Sequence, residues 1–201
     1  MIDTMHGDLP TRPSLLVRIR DLKDAEAWRQ FVAIYEPVIQ RYLRRRGLRD
    51  ADAADLAQET LANVARGIDR FTYDPQRGRF RGWLLTIARR QLAQFHERGA
   101  RRAAPAGSGL TEVQDALAQI PDEDEARQWE RDCEQQALEW GMRRIEPEFQ
   151  PSTWRAFYAT AVEQKPPQAV AEQLGLSANA VYTAKSRVTA RLRQVLAELE
   201  S

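Results

Sequence analysis

The sequence predicts an all-α protein made of two small helical domains joined by a flexible linker. Three observations predict it. Apolar residues recur at three- and four-residue spacing almost everywhere, and strand signals are nearly absent. The run Gly99 to Gly109, alanine-rich with Pro105 and three glycines, breaks that periodicity. Charge is segregated along the chain although its total is balanced, with 30 Lys plus Arg against 29 Asp plus Glu.

The elements follow in order. Leu15, Leu16, Ile19 and Leu22 predict a short first helix. Trp28, Phe31, Val32, Tyr35, Val38, Ile39 and Tyr42 continue the helical pattern, and Pro37 is expected to bend or break it. Gly47 ends that element and Asp52 starts the next, whose stripe is Ala57, Leu61, Val64, Ala65 and Ile68. Tyr73, Asp74, Pro75, Gln76, Arg77 and Gly78 form a turn-rich loop. A long helix over about Phe80 to Arg98 should bury Phe80, Leu84, Ile87, Ala88 and Phe95.

Beyond the linker, Trp129, Cys133, Leu138 and Met142 predict a helix ending near Pro147. Ser152 or Thr153 is placed to cap a helix with Trp154, Phe157, Tyr158 and Ala161, which Pro166 and Pro167 break. The expected division is residues 1–98, a linker at 99–124 and a second domain at 125–201.

At 201 residues the chain fits one medium domain or two small ones. No run approaches the ~18–20 apolar residues of a membrane span. Met1 to Arg20 lacks the features of a secretory signal, so the expected location is cytoplasmic. A single cysteine, Cys133, excludes a disulfide framework, and His6 and His96 leave a zinc cluster without ligands. The expectation is a chain with no metal, no cofactor and no catalytic residues.

Residues 76–102 hold eight arginines and one acid, a net of +7; residues 111–148 hold twelve acids and four arginines, a net of −8. Residues 182–193 hold four bases and no acid. Two basic stretches around an acidic one suggest two contacts with a polyanion, although solvated helix surface gives the same pattern.

The C-terminal stretch carries a helix-turn-helix. A short amphipathic helix with Ala169, Val170 and Leu174 ends at Gly175, and Ser177 caps the next helix. There Val181, Ala184, Val188, Leu192, Val195 and Leu199 form the apolar stripe. Asn179, Tyr182, Thr183, Ser186, Ala190 and Arg193 occupy the opposite face, flanked by Lys185, Arg187 and Arg191. Such a helix can lie in a major groove, with polar residues at base edges and bases on phosphates.

Two N-terminal stretches expose unusual residues. Asp52, Asp55, Gln58 and Glu59 project away from the apolar stripe of their helix. Acid–base or metal chemistry lacks a partner histidine there, and acids at a helix N-terminus also serve the helix dipole. In the second stretch, Phe80 and Trp83 are interleaved with Arg77, Arg79, Arg81, Arg89 and Arg90, and Arg90, Gln94, Arg98 and Arg101 form a stripe. Aromatic faces beside guanidinium groups suit unstacked bases and their backbone, but core packing equally explains Phe80 and Trp83.

Together and in this order, Asp52-Ala-Ala-Asp55-Leu-Ala-Gln58-Glu59-Thr-Leu, Phe80-Arg-Gly-Trp83-Leu-Leu-Thr-Ile-Ala-Arg, a linker and the helix-turn-helix resemble a bacterial sigma factor. The resemblance is to the sigma-70 family, extracytoplasmic-function (ECF) type, and covers about residues 14–198. It implies a sigma-2-like domain that binds the clamp helices of core RNA polymerase and melts the −10 element. It also implies a sigma-4-like domain that reads the −35 element and touches the polymerase flap.

By this resemblance Asp52, Asp55, Leu56, Gln58 and Glu59 contact polymerase, where acids would orient docking on a basic partner. Arg79, Phe80, Arg81, Trp83, Arg89, Arg90, Gln94 and Arg98 act at the −10 element, where capture of a flipped base offsets the few kcal/mol lost in unstacking. Ser177, Asn179, Tyr182, Thr183, Lys185, Ser186, Arg187 and Arg191 act at −35. The implied partners are core RNA polymerase and promoter DNA, duplex and single-stranded, with an anti-sigma factor as a further candidate and no membrane.

Two departures stand out. Arg90 and Gln94 occupy positions where the family commonly has Asn and Asp, and Val181-Tyr182-Thr183-Ala184 replaces the common Val-Lys-Ser-Arg. Two other readings compete. A dimeric helix-turn-helix regulator leaves the N-terminal motifs idle, and a phosphodiester-cleaving enzyme lacks histidines or clustered carboxylates.

Overall fold

The computed structural model describes residues 14–71, 80–103 and 122–200. These form helices joined by short turns, with no strand among the described residues. Arg79, Arg77 and the turn-rich loop, residues 104–121 of the linker and His6 lie outside the described residues. No helix is long and apolar enough to cross a membrane among those described.

The helices are α1 (Leu15–Arg18), α2 (Ala25–Arg45), α3 (Asp50–Gly67), α4 (Phe80–Ala103), α5 (Glu123–Ile145), α6 (Pro151–Phe157), α7 (Pro167–Leu174) and α8 (Ala178–Glu200). A 3₁₀ turn at Ile68–Arg70 follows α3, and a π-helical turn at Tyr158–Val162 follows α6. The chain divides into two compact units, Leu22–Glu148 and a second formed by Phe149–Ser201 with the segment ending at Asp21.

In the first unit, α2 packs against α3 and α5, and α4 packs against the same two helices. Phe31, Ile34, Val38, Ile39 and Leu43 of α2 meet a core completed by Leu56, Ala57, Leu61 and Val64 of α3 and Leu84, Leu85, Ala88 and Leu92 of α4, all buried. Pro37 lies inside α2 and does not end it. The proline deprives the Ala33 carbonyl of its helical donor, and Ala33 is exposed, so water can take that place.

Gly47 ends α2 as expected, at φ +90°, with Leu48 N–H donating to the Leu43 carbonyl (3.3 Å) and Gly47 N–H to that of Arg44 (2.9 Å). This is a Schellman stop, and its flanking leucines, Leu43 and Leu48, are both buried. Helix α3 starts at Asp50, two residues before the expected Asp52.

Helix α5 lies in the compact unit Leu22–Glu148, together with α2, α3 and α4. Trp129 is buried there, its ring 5.7 Å from that of Tyr42 and nearly perpendicular, and its indole N–H donates to the Arg81 carbonyl at 2.8 Å. Leu138 of the same helix is 42% exposed. Gln136, Ala137, Gly141 and Ile145 are buried instead.

In the second unit, α1 packs on α8, so residues 14–21 group with the C-terminal helices and not with residues 22–98. Ala156, Val170, Ala171, Val181 and Ala184 form a small core, with Ala159, Leu174 and Leu176 packed against it. Ala169, expected on the apolar face, is exposed. Pro151 opens α6 at its first turn after Gln150, so neither Ser152 nor Thr153 is the cap. Pro167 likewise opens α7.

Candidate polymerase and nucleic-acid interfaces

The α3 face is built by spacing. Asp52, Asp55 and Glu59 recur at three and four residues, which sets them on one side of the helix. Asp55, Gln58 and Glu59 are exposed and Asp52 is half-buried. Asp52 accepts from Arg49 Nε at 3.0 Å, and Gln58 Nε2 donates to Glu36 at 2.7 Å. Leu56 is different. It is 2% exposed and fills the core, so its contribution to a docking face is indirect.

The neighbouring helix α4 divides the proposed −10 residues into an inner and an outer set. Phe80 is 4% exposed and sits among the rings of Phe31, Tyr35, Phe71 and Trp83 at centroid distances of 5.6–5.8 Å. That edge-to-face packing makes Phe80 a core residue. Trp83 is half-buried, 4.8 Å from the Phe71 ring and resting over Gly67, where an added Cβ would lie 3.3 Å from the indole.

Arg81 and Arg89 also point into contacts with α5. Arg81 Nη1 pairs with Glu130 at 2.5 Å, and Arg89 Nη1 lies 3.3 Å from Glu125. Burial works against the Arg81 charge, but the Glu130 carboxylate outweighs it and lifts the pKa above the ordinary guanidinium value. The outer set is Arg90, Gln94 and Arg98, all exposed along one stripe. Arg98 Nη1 reaches Glu59 of α3 at 3.6 Å, so the two N-terminal motifs lie side by side.

A third set of residues escaped the sequence reading. Arg41, Arg45 and Arg46 of α2 meet the acids of α5. Asp132 accepts from Arg45 and, at 3.5 Å, from Arg41. Glu125 pairs with Arg46 and accepts the Tyr42 hydroxyl at 3.0 Å. Hydrogen bonds from Arg45 and Gln128, with the Arg41 charge, hold the Asp132 carboxyl below the usual range against the opposing effect of burial. Burial, with the Glu125 charge beside it, pushes the Tyr42 phenol up. The run Arg44-Arg45-Arg46 was the available signal.

In the second unit, Gly175 takes the left-handed conformation (φ 63°, ψ 34°) and Leu176 N–H donates to the Ala171 carbonyl at 2.9 Å. Ser177 Oγ then accepts from Ala180 N–H at 3.1 Å, capping α8. The apolar stripe Val181, Ala184, Val188, Leu192, Val195 and Leu199 is buried throughout. Ser177, Asn179, Tyr182, Thr183, Ser186, Arg187 and Arg193 are exposed, while Lys185 and Arg191 are half-buried. Of the family departures, Ala184 belongs to the core and Tyr182 is 59% exposed.

Comparison with known proteins finds a similarity over part of the chain. Residues 31–102 match the model of the family described as Sigma-70 region 2. The structure of CnrH in complex with the cytosolic domain of CnrY is similar at 22% identity, over 91% of this chain and 95% of that one, with a TM-score of 0.34. No protein of curated function matches. The matched segment runs from Phe31 of α2 to Arg102 of α4, and so contains both N-terminal motifs and the helices that hold them together. The similarity to Sigma-70 region 2 is thus confined to residues 31–102.

Proposed function

We propose that the chain is a sigma factor of the ECF type, which binds core RNA polymerase and directs initiation at specific promoters. The observation that carries this reading is the match to Sigma-70 region 2 over residues 31–102, where α3 displays Asp52, Asp55, Gln58 and Glu59 beside the arginine stripe of α4. In this reading the α3 face docks on the clamp helices. Acids there orient encounter with a basic partner more than they add affinity.

The reading assigns −10 contacts to Arg90, Gln94 and Arg98, with Trp83 as the half-buried aromatic and Arg79 before it. Phe80, Arg81 and Arg89 support α4 from within. The α8 residues Ser177, Asn179, Tyr182, Thr183, Lys185, Ser186, Arg187 and Arg191 read −35, and the unit that carries them meets the flap. An anti-sigma factor that covers these faces belongs to the same scheme. No step of it is catalytic.

The test is co-purification with bacterial core RNA polymerase, wild type against Asp55→Arg/Glu59→Arg. Binding by the wild type that the charge reversal abolishes is the expected result. Failure of the wild type to bind overturns the proposal and leaves a helix-turn-helix regulator, which would then footprint duplex DNA without polymerase.

A further inference from the structure

Five guanidinium groups face α5, those of Arg41, Arg45 and Arg46 on α2, still 34–41% exposed, and of Arg81 and Arg89 on α4, largely buried, and three carboxylates of α5 pair with them: Glu125, Glu130 and Asp132. The cationic side is in excess by two, and buried Arg89 is poorly satisfied: Nη1 lies 3.3 Å from Glu125 without hydrogen-bond geometry, and Nε has no hydrogen-bond partner among the described residues. The covering helix is anchored by few apolar groups. Of its buried residues, Trp129 and Ile145 are the large apolar ones, Asp132 and Gln136 are polar, and Cys133, Ala137 and Gly141 are small. The covered arginines of α4 continue along the same helix into the exposed Arg90 and Arg98.

We infer that the arginine face of α2 and α4 under α5 is a second binding surface for the nucleic-acid backbone, and that α5 covers it as an internal acidic stand-in for phosphate. Guanidinium groups exchange carboxylate for phosphate without loss of geometry, because both accept the same forked pair of N–H donors. A backbone that neutralises the face also releases counterions, which the α5 carboxylates do not. The paired state therefore keeps the free chain off random DNA, and displacement of α5 uncovers Arg81 and Arg89 and frees the partly exposed Arg41, Arg45 and Arg46 from their carboxylates. This rests on the nucleic-acid reading of α4 but not on polymerase binding.

Cys133 supplies the readout. It is the only cysteine of the chain, buried on α5 one residue from Asp132. Its reaction with a maleimide therefore reports displacement of the helix. The full chain is labelled at low salt alone, with a DNA oligonucleotide of arbitrary sequence, and with polyglutamate of matched charge. DNA is expected to speed labelling at least ~10-fold. Glu125→Gln/Glu130→Gln/Asp132→Asn should label fast without DNA and bind the oligonucleotide ~10-fold tighter by anisotropy. A charge-matched control, Glu134→Gln/Glu146→Gln/Glu172→Gln, should gain much less. Adding Arg41→Gln/Arg45→Gln/Arg46→Gln to the first triple should abolish its gain.

Labelling of the wild type that DNA leaves unchanged overturns the inference, and this arm stands even if the triple variant does not fold. A gain that survives the arginine replacements, or is equalled by the control, overturns it as a net-charge effect. Opening by polyglutamate and not by DNA assigns the face to an acidic protein partner and overturns it too. No arm contains polymerase, so a chain that fails to bind polymerase can still pass.

Discussion

The indole N–H of Trp129 donates to the backbone carbonyl of Arg81 at 2.8 Å, joining α5 to the first turn of α4. The same arginine sends its guanidinium to Glu130, one residue beyond the indole. The contact thus combines a buried aromatic anchor, a satisfied carbonyl and an ion pair. Trp129→Ala should destabilise the first unit by ~3–5 kcal/mol, the usual cost of deleting a buried aromatic. Trp129→Phe keeps most of the packing and removes one hydrogen bond to the Arg81 carbonyl, which the helical N–H of Leu85 still serves, for ~0.5–1.5 kcal/mol. Denaturant unfolding of both variants measures the difference.

Backbone conformation sets a second expectation. Gly175 lies at φ 63° and nothing stands within 4 Å of an added Cβ, so Gly175→Ala should cost ~1–2 kcal/mol through strain alone. Gly82 has equal room but sits in the ordinary conformation of α4. Gly82→Ala should therefore stabilise by ~0.5–1 kcal/mol. Thermal melts with opposite shifts for the two substitutions are the check.

Stability should depend on pH at both extremes through neighbouring residues. Asp132 has its folded pKa lowered, so its contribution is present above the unfolded carboxylate value, ~3.9, and is lost as pH falls through the folded value. Burial pushes the Cys133 thiol up to about 12, so its contribution is intact below the unfolded value and is lost as pH rises from about 9 toward 12. Asp132→Asn should flatten the acid limb of the stability profile, and Cys133→Ala the alkaline limb. Unfolding series below pH 4 and above pH 9 test each sign separately.

On α8 the exposed residues should separate by kind. Arg187→Ala should weaken promoter binding by the polymerase complex nearly uniformly across sequences and reduce the salt slope by about one phosphate contact. Asn179→Ala should instead relax preference at one position of the site, by ~1–3 kcal/mol. Binding curves at several salt concentrations on matched and mutated sites distinguish the two.

The Glu59–Arg98 pair, at 3.6 Å with both side chains about half exposed, should contribute under ~1 kcal/mol. Glu59→Gln is then expected to leave the melting temperature within a degree or two while still weakening polymerase capture. A large loss of stability would show that the residue serves the fold and not a docking face.

Much of this molecule was legible in the chain. The stops at Gly47 and Gly175, the cap at Ser177 and the buried stripe of α8 depend on residues within a few positions of one another, so spacing and residue type suffice to place them. The exposed set on α3, apart from Leu56, follows from the same local periodicity. Leu56 was drawn outward by its position in a motif, although its neighbours Ala53, Ala57 and Thr60 turn that side inward.

What the tertiary structure alone decided is where α5 goes and which arginines face outward. Its acids read as a charged stretch beyond a linker, and nothing local says that they meet Arg41, Arg45, Arg46, Arg81 and Arg89. Those contacts join residues 36 to 91 positions apart. Local chemistry chooses helix, cap and face because it acts within a turn or two. Partner choice between distant helices is settled by burial of Trp129 and by charge pairing, which exist only once the chain has folded.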